Sequence, residues 1–127
     1  MGNRIVFLAL FLVCSSLAVS EQKITELYFS YKGKTSLIPL VQLNGALFDR
    51  DCVKDPVKCY ATRAYNLTKR NFDKGKWGSS ALAYCKAFHA EPVVLRDKLK
   101  KEFAYCLFSD ASFVSAWDLY NKHWKTK

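Results

Sequence analysis

The sequence predicts an α+β fold: a small single domain stapled by disulfides, with short β-hairpins and about three helices, behind a signal peptide. Three observations predict it. An apolar run near the N terminus is typical of an export signal. Four of the five cysteines lie beyond this signal segment, and cysteines of exported chains usually pair. Finally, stretches rich in β-branched and aromatic residues alternate with stretches whose apolar residues recur at helical spacing.

Residues 1–20 have the pattern of a signal peptide. An apolar run from Ile5 to Val13 follows a single cation, and small residues end the segment. The run is shorter than the roughly 20 apolar residues that span a bilayer. We therefore expect an exported protein, periplasmic or secreted. Lipid attachment at Cys14 is the less favoured alternative, because a valine stands where bacterial lipoproteins carry a small residue.

The chain that remains after cleavage has the length of one domain with one modest core. Its N-terminal part, residues 21–78, is predicted to contain a hairpin, a helix and a loop. Its C-terminal part, residues 79–127, is predicted to contain a helix, a second hairpin and a final helix. We therefore expect one domain in two sequential parts rather than two domains.

A hairpin and a helix are predicted in the N-terminal part. The hairpin covers Lys23 to Leu47, where strand-forming residues flank a turn at Lys32-Gly33-Lys34. Pro39 lacks a backbone donor, so its strand should lie at an edge or start late. The helix runs from Pro56 to Arg70, with Asp55 as its N-cap, because a proline suits the first helical position and apolar residues follow at helical spacing.

The C-terminal part begins after a glycine-rich, charged loop at residues 71–78. A helix should begin at Ser79 or Ser80 and end before Pro92. The stretch from Pro92 to Asp110 fits either a helical stripe or two strands, and its β-branched and aromatic ends favour two strands joined by a charged turn near Lys98 to Lys101. The last helix is predicted from Ser112 to Trp124.

The charge balance favours anionic partners. The chain has 20 Lys and Arg against 11 Asp and Glu, a net charge of +9 at pH 7. Such a charge attracts acidic envelope components or lipid headgroups, whereas export argues against a nucleic acid. The plainer interpretation is that the charge keeps a small monomeric protein soluble. The candidate contact residues are one aromatic side chain and three lysines: Trp77, Lys98, Lys100 and Lys101.

The predicted final helix has an aromatic stripe that opposes lysines. The stripe comprises Phe113, Trp117, Tyr120 and Trp124. This pattern is typical of an interfacial membrane helix, so Trp117 and Trp124 are candidate membrane contacts. The favoured alternative is that the stripe covers the core, because a small domain has few other large side chains to fill its centre.

Residues for catalysis or metal binding are sparse. A hydrolase would have to draw on His89 or His123 with Asp110 and a nearby serine such as Ser112, and the chain has no G-x-S-x-G motif. The acidic cluster Asp49, Asp51 and Asp55 lacks the glycine and glutamate that a calcium loop needs at fixed positions, and turn and cap interactions of Asp51 and Asp55 around Cys52 are the better interpretation. We therefore expect no cofactor, no metal and no enzyme activity.

The four remaining cysteines imply two disulfides in an oxidising compartment, and three connectivities are possible. They are Cys52, Cys59, Cys85 and Cys106. No two of them have the C-x2-C spacing of a structural zinc site. Spacing alone does not choose among the three connectivities.

One region resembles a known bacterial family. The sequence Ala83-Tyr84-Cys85, then the run from Phe103 to Ser112, then Ala116 to Tyr120, is similar to domain of unknown function 333, whose members are often labelled hemolysins. The match covers Ser79 to Trp124. This chain departs from the family pattern in two places: His89-Ala90 replaces a double glycine, and Ala111 replaces the glycine of an aspartate-glycine-serine turn. Glycines in such turns often supply a positive φ.

The resemblance implies a small envelope domain with no established chemistry, in which a helix is tied to a hairpin by a Cys85–Cys106 disulfide, and with it a Cys52–Cys59 bridge. We therefore expect an exported, non-enzymatic interaction module whose partner is a protein or an anionic envelope component. A membrane-active or membrane-associated protein is the alternative, which the hemolysin label and the aromatic stripe favour. A small hydrolase is the remaining possibility.

Overall fold

The computed structural model describes residues 23–125; the predicted signal peptide and Cys14 lie outside them. These residues form an α+β fold in which six antiparallel strands close into a barrel, in the order β1-β2-β3-β6-β5-β4. The strands are β1 (Ile24–Tyr31), β2 (Lys34–Leu43), β3 (Ala46–Asp49), β4 (Glu91–Arg96), β5 (Glu102–Leu107) and β6 (Phe113–Ser115). The helices are α1 (Arg50–Lys54), α2 (Tyr60–Asn66), α3 (Ser80–Ala87) and α4 (Ala116–Trp124), with a 3-10 turn at Pro56–Lys58.

The barrel consists of two three-stranded meanders, β1-β2-β3 and β4-β5-β6, each with short connections. The predicted N-terminal hairpin forms, and its second strand ends in a tight turn at Asn44-Gly45, which adds β3. Asn44 and Gly45 have φ angles of 53° and 91°, and an asparagine-glycine pair favours this hairpin turn because both positions need positive φ. The sequence prediction of one hairpin from Lys23 to Leu47 therefore underestimated the sheet by one strand.

Pro39 lies within β2, five residues after the strand begins, so the strand does not start late. It faces Glu26 of β1. On the other flank of β2, β3 pairs only from Leu40 to Leu43, so Pro39 lies beyond the end of that pairing. On that side of β2, Pro39 has no strand partner, so its missing N–H removes no hydrogen bond from the sheet.

Two apolar cores follow from the alternation of side chains along the strands. One fills the barrel interior, and its buried members are Leu27, Leu40, Leu95, Tyr105 and Phe113. The larger one lies between the outer face of β3, β5 and β6 and the helices, where Tyr84 of α3 is completely buried. Each of these strands therefore has one face in each core, which explains why their sequences are apolar on both faces.

The predicted helix from Pro56 to Arg70 is shorter and interrupted. Pro56–Lys58 form only a 3-10 turn, Cys59 is extended, and α2 runs from Tyr60 to Asn66. Asp55 makes no side-chain cap hydrogen bond. Cys59 is held in a disulfide whose partner lies on α1, so the chain has to leave the helical path there. That helix, α1, is absent from the sequence prediction.

The C-terminal part follows the predicted order with one correction. Helix α3 begins at Ser80 with Ser79 as its N-cap, and β4 and β5 form the predicted hairpin. The predicted final helix is wrong over its first residues. Phe113–Ser115 form β6, which pairs with both β5 and β3, and α4 begins only at Ala116. Phe113 is therefore part of the barrel core, not of a helical stripe.

The disulfides join Cys52 to Cys59 and Cys85 to Cys106, the connectivity that the family resemblance implied. The first bridge closes a loop between α1 and the start of α2. The second ties the buried face of α3 to β5, at the centre of the larger core. Each bridge therefore fixes a helix to its neighbouring element.

Candidate functional site

The two meanders meet along two seams that differ in how they are closed. At the β3–β6 seam Phe48 pairs with Val114, and the Asp49 carboxylate also accepts a 2.8 Å hydrogen bond from the backbone N–H of Phe113. At the β1–β4 seam only Tyr28 and Arg96 pair. Within residues 23–125 no side-chain hydrogen bond links β1 to β4. Beyond that single pair, residues of both strands line a cleft.

A cleft of about 770 Å³ lies along the β1–β4 seam. Its walls are the edges of Phe29–Tyr31 from β1 and Glu91–Val94 from β4, and it continues to the end of α3. The volume lies in the range of ligand-binding pockets, about 300–1,000 Å³. Because neither edge has a strand partner on this side, both present backbone N–H and C=O groups to the cleft.

The cleft is apolar at its base and basic at its rim. Phe29, Val93 and Leu107 belong to the partly buried layer around the barrel core and also line the cleft. The charged side chains at its rim are Lys86, Arg96 and Glu91. Arg96 forms a 2.6 Å ion pair with Glu102, which leaves Lys86, at the end of α3, as the cation of the rim outside an ion pair in the described part of the chain.

The histidine, aspartate and serine considered for hydrolysis do not form a catalytic triad. The Ser112 hydroxyl donates to Asp110 at 2.5 Å and accepts from the backbone N–H of Ala61 at 3.1 Å. The other oxygen of Asp110 accepts from the backbone N–H of Tyr60 at 2.9 Å. His89 lies instead at the β1–β4 cleft. The Asp110–Ser112 pair therefore caps the start of α2.

Hydrogen bonds hold the pKa of Asp110 down. Burial raises the pKa of this carboxyl, but the Ser112 hydroxyl and the backbone N–H groups of Tyr60 and Ser112 together outweigh it, and the pKa lies below its ordinary value of 3.8. The carboxylate is thus ionised at neutral pH and used as an acceptor.

Both ring nitrogens of His123 are engaged. Nδ1 lies 2.6 Å from the Tyr84 hydroxyl and Nε2 lies 3.1 Å from the carbonyl oxygen of Tyr65. A carbonyl only accepts, so Nε2 carries the proton and Nδ1 accepts from Tyr84. The Tyr84 hydroxyl in turn accepts from the backbone N–H of Arg70. Burial lowers the pKa of His123, so the ring is neutral and joins α2, α3 and α4.

The acidic cluster lines a small cavity of about 270 Å³ together with Asp110. The predicted cap around Cys52 exists, but Asp49 supplies it: its carboxylate accepts from the backbone N–H of Cys52 at 3.2 Å and is the N-cap of α1. Asp55 instead forms an ion pair with Lys58. The nearest sulfurs, those of Cys52 and Cys59, are joined in a disulfide. These groups therefore hold the loop together.

The three tryptophans lie in different surroundings. The Trp124 ring packs edge-on against Phe72 at 5.8 Å and Tyr84 at 6.4 Å between ring centroids, at the margin of the larger core. Trp117 is 44% exposed and Trp77 is 40% exposed. The final helix therefore buries one end of its aromatic stripe, and the stripe does not form one continuous outward face.

The candidate lysines lie together on the tight turn between β4 and β5. Lys98, Lys100 and Lys101 are all exposed, and Lys98 and Lys100 line a second cavity of about 510 Å³ with Tyr28 and Arg96. The turn follows Arg96 at the end of β4, and Arg96 also lines the β1–β4 cleft, which extends from there towards Glu91.

Sequence reasoning missed the β1–β4 cleft. Its lining residues are strand formers such as Phe29 and Val93, and no local signal separates an apolar side chain in a closed seam from one in an open seam.

No protein-family model matches this chain, and no curated protein and no solved structure matches it significantly. The resemblance to domain of unknown function 333 accordingly stays a prediction. Among residues 23–125, no helix combines the length and the apolar content that crossing a bilayer requires.

Proposed function

We propose that this protein is an exported, non-enzymatic binding module that holds an extended segment of another protein in the β1–β4 cleft. The observation that carries the proposal is the cleft of about 770 Å³ at the β1–β4 seam, where one residue pair, Tyr28 with Arg96, joins the strands and no side-chain hydrogen bond of the described residues adds to it. The signal peptide and two disulfides agree with an oxidising compartment outside the cytoplasm.

The backbone of the cleft suits a peptide better than a small apolar molecule. Two strand edges, at Phe29–Tyr31 and Glu91–Val94, face the cleft without a strand partner. An extended peptide that adds to such an edge satisfies its N–H and C=O groups, and pockets for alternate side chains then give specificity. An apolar molecule would leave these polar groups without partners.

The side chains define the sequence that the cleft favours. The apolar base, formed by Phe29, Val93 and Leu107, accepts every second side chain of an extended segment. The free cation at the rim, Lys86, favours an acidic residue at an intervening position. The proposed ligand is therefore a strand that alternates apolar and acidic residues, bound by the monomer.

The absence of an enzyme activity is part of the proposal. The polar side chains that a hydrolase would use are engaged in structural hydrogen bonds: Ser112 and Asp110 at the start of α2, and His123 between three helices. The proposal also includes membership of the family of domain of unknown function 333, which the motif from Ser79 to Trp124 supports.

The experiment uses two sets of synthetic decapeptides with the same apolar residues, alternating with glutamate in one set and with lysine in the other. Binding is measured by fluorescence polarisation, and amide shifts and hydrogen exchange are mapped by NMR. We expect the glutamate set to bind and to protect amides of Phe29–Tyr31 and Glu91–Val94. Equal binding of both sets, or protection confined to other surfaces, would contradict the proposal.

Matched variants localise the binding. Tyr31→Glu places a negative charge at a 60% exposed residue of the cleft, and Leu37→Glu does so at a 45% exposed residue of β2 outside it. Lys86→Gln and Lys54→Gln each remove a lysine from the last turn of a helix, α3 and α1 respectively. Only Tyr31→Glu and Lys86→Gln should weaken binding of the glutamate peptides.

A further inference from the structure

The turn between β4 and β5 is held in one conformation by Asp97. The Asp97 carboxylate accepts hydrogen bonds from the backbone N–H groups of Leu99 and Lys101, both at 2.9 Å. Two backbone bonds, Lys100 N–H to Asp97 C=O and Asp97 N–H to Lys101 C=O, close the turn at 3.0 and 3.1 Å. The side chains at its tip are therefore presented in a fixed arrangement.

The turn exposes the side chain of Leu99 among lysines that form no ion pair with any described residue. Leu99 is 88% exposed. Its neighbours Lys98, Lys100 and Lys101 form no ion pair within residues 23–125, and the one acidic group of the turn, Asp97, is used as the acceptor that closes it. Only the backbone N–H of Leu99 takes part in the hydrogen bonds that close the turn. Its side chain points into water and buries little apolar surface.

The second cavity lies directly beside this tip. Lys98 and Lys100, which form no ion pair in the described part of the chain, line it together with Tyr28, Asp97 and Arg96, whose guanidinium is paired with Glu102. Such a set of donors suits a phosphate oxygen, which accepts hydrogen bonds and attracts positive charge.

Leu99 differs from the other exposed apolar side chains of this protein. Val57 is also 78% exposed, but its neighbour Lys58 forms an ion pair with Asp55. Tyr31 and Trp77 also lie beside lysines that form no ion pair among the described residues, but at 60% and 40% they are less exposed than Leu99.

We infer that the β4–β5 turn binds an anionic phospholipid surface. Lys98 and Lys100 contact headgroup phosphates, and Leu99 enters the boundary between headgroups and acyl chains, as apolar residues of interfacial segments do. This places the membrane contact on the β4–β5 turn instead of on the final helix, where Trp124 packs against the core; Lys98, Leu99 and Lys100 are not among the residues that line the peptide cleft. The inference stands on a different surface and does not depend on the proposed peptide binding.

The test measures sedimentation of the oxidised protein with vesicles of phosphatidylcholine alone and of phosphatidylcholine with one quarter phosphatidylglycerol. We expect binding only to the anionic vesicles at physiological salt. The double variant K98Q/K100Q should weaken partitioning about 25-fold, at about fivefold for each lysine near the surface. Leu99→Ser should weaken it about tenfold, and Leu99→Trp should bind and show blue-shifted emission.

Two controls match these variants. K74Q/K76Q removes the same charge from exposed lysines of the 71–78 loop, and Val57→Ser removes an equally exposed apolar side chain. Each should change partitioning less than twofold. The inference is overturned if the control lysines matter as much as Lys98 and Lys100, which would indicate general charge attraction. It is also overturned if Leu99→Ser binds like the parent protein, because the partner would then be a soluble polyanion.

Discussion

Replacing Asp110 by alanine tests whether the start of α2 depends on a carboxylate supplied from another part of the chain. Helix α2 has no side-chain cap from its own N-cap residue, Cys59. Instead, Asp110 accepts from the backbone N–H of Tyr60 at 2.9 Å, and it also holds the Ser112 hydroxyl that accepts from Ala61. The variant removes both supports at once.

The magnitude follows from the bonds that are lost. Loss of a helix cap costs about 0.5–2 kcal/mol, and a hydrogen bond to a charged group contributes about 1.5–3 kcal/mol. The two effects share one carboxylate, and solvent screens its exposed side, so we expect Asp110→Ala to lower the free energy of unfolding by about 2 kcal/mol. For a domain of this size that corresponds to a fall in Tm of about 8–16 °C.

The effect should depend on pH in a defined direction. The pKa of Asp110 is lowered in the folded protein, so its contribution is fully present above the unfolded value of 3.8 and is lost as pH falls through the folded pKa. The destabilisation by Asp110→Ala should therefore be constant from pH 5 to 8 and shrink below pH 3.8.

The assay is urea unfolding followed by circular dichroism at a series of pH values, with Asp51→Ala as the control. Asp51 is an exposed aspartate of the same acidic cavity, and its removal should change stability by less than about 0.5 kcal/mol. A loss below 0.5 kcal/mol for Asp110→Ala, or one that persists unchanged at pH 3, would refute the reasoning.

Three further predictions concern the rest of the fold. The double variant C85A/C106A opens a bridge of sequence separation 21 and should cost about 3 kcal/mol by chain entropy, measured by urea unfolding; retention of parent stability would contradict it. His123→Gln should flatten the loss of stability as pH falls below 6.5, because burial lowers the pKa of the folded histidine and the unfolded chain takes up the proton first; an unchanged slope would count against this. Ala111→Gly should raise the free energy of unfolding by about 0.5–1 kcal/mol, because Ala111 has a φ of 70° and glycine has no steric penalty there, whereas Ala87→Gly within α3 should lower it by about 1 kcal/mol.

The sequence predicted those elements whose signals are local. Ser79 capping α3 and the strand pair around the charged turn were correct because a cap needs one side chain in the right place, and β-branched runs need only their neighbours. The resemblance added the Cys85–Cys106 pairing. In the family pattern, glycines stand at the positions of His89 and Ala111. Both residues have positive φ here, at 60° and 70°.

The errors occurred where distant contacts decide local structure. Ser112 to Ser115 have helical spacing with the residues that follow, but Phe113–Ser115 become β6 because β3 and β5 each present an edge to them. The helix from Pro56 broke at Cys59 because a disulfide holds that residue to α1. The cap of α2 comes from Asp110, 50 residues away from Tyr60 in sequence, and no pattern within a helix reveals such a partner.

The two seams of the barrel give the strongest physical argument for a role of the cleft. At the β3–β6 seam the protein places two partly buried carboxylates: Asp49 accepts from Phe113, and Asp118 of α4 accepts from the backbone N–H of Leu47 at 3.0 Å. Burial raises the pKa of both carboxyls, so keeping them ionised at neutral pH opposes folding. The hydrogen bonds that close the β3–β6 seam are therefore made at the expense of burying two carboxylates.

The β1–β4 seam has no such side-chain link in the described part of the chain, although Phe29 and Val93 of the barrel core border it. Extending the pairing of β1 and β4 past Tyr28 and Arg96 would cover these side chains and satisfy both strand edges, and it would require no buried charge. A small domain has little stability to spare. The open seam is therefore the reason for proposing that a strand from outside the domain completes it, and the peptide experiment tests that proposal directly.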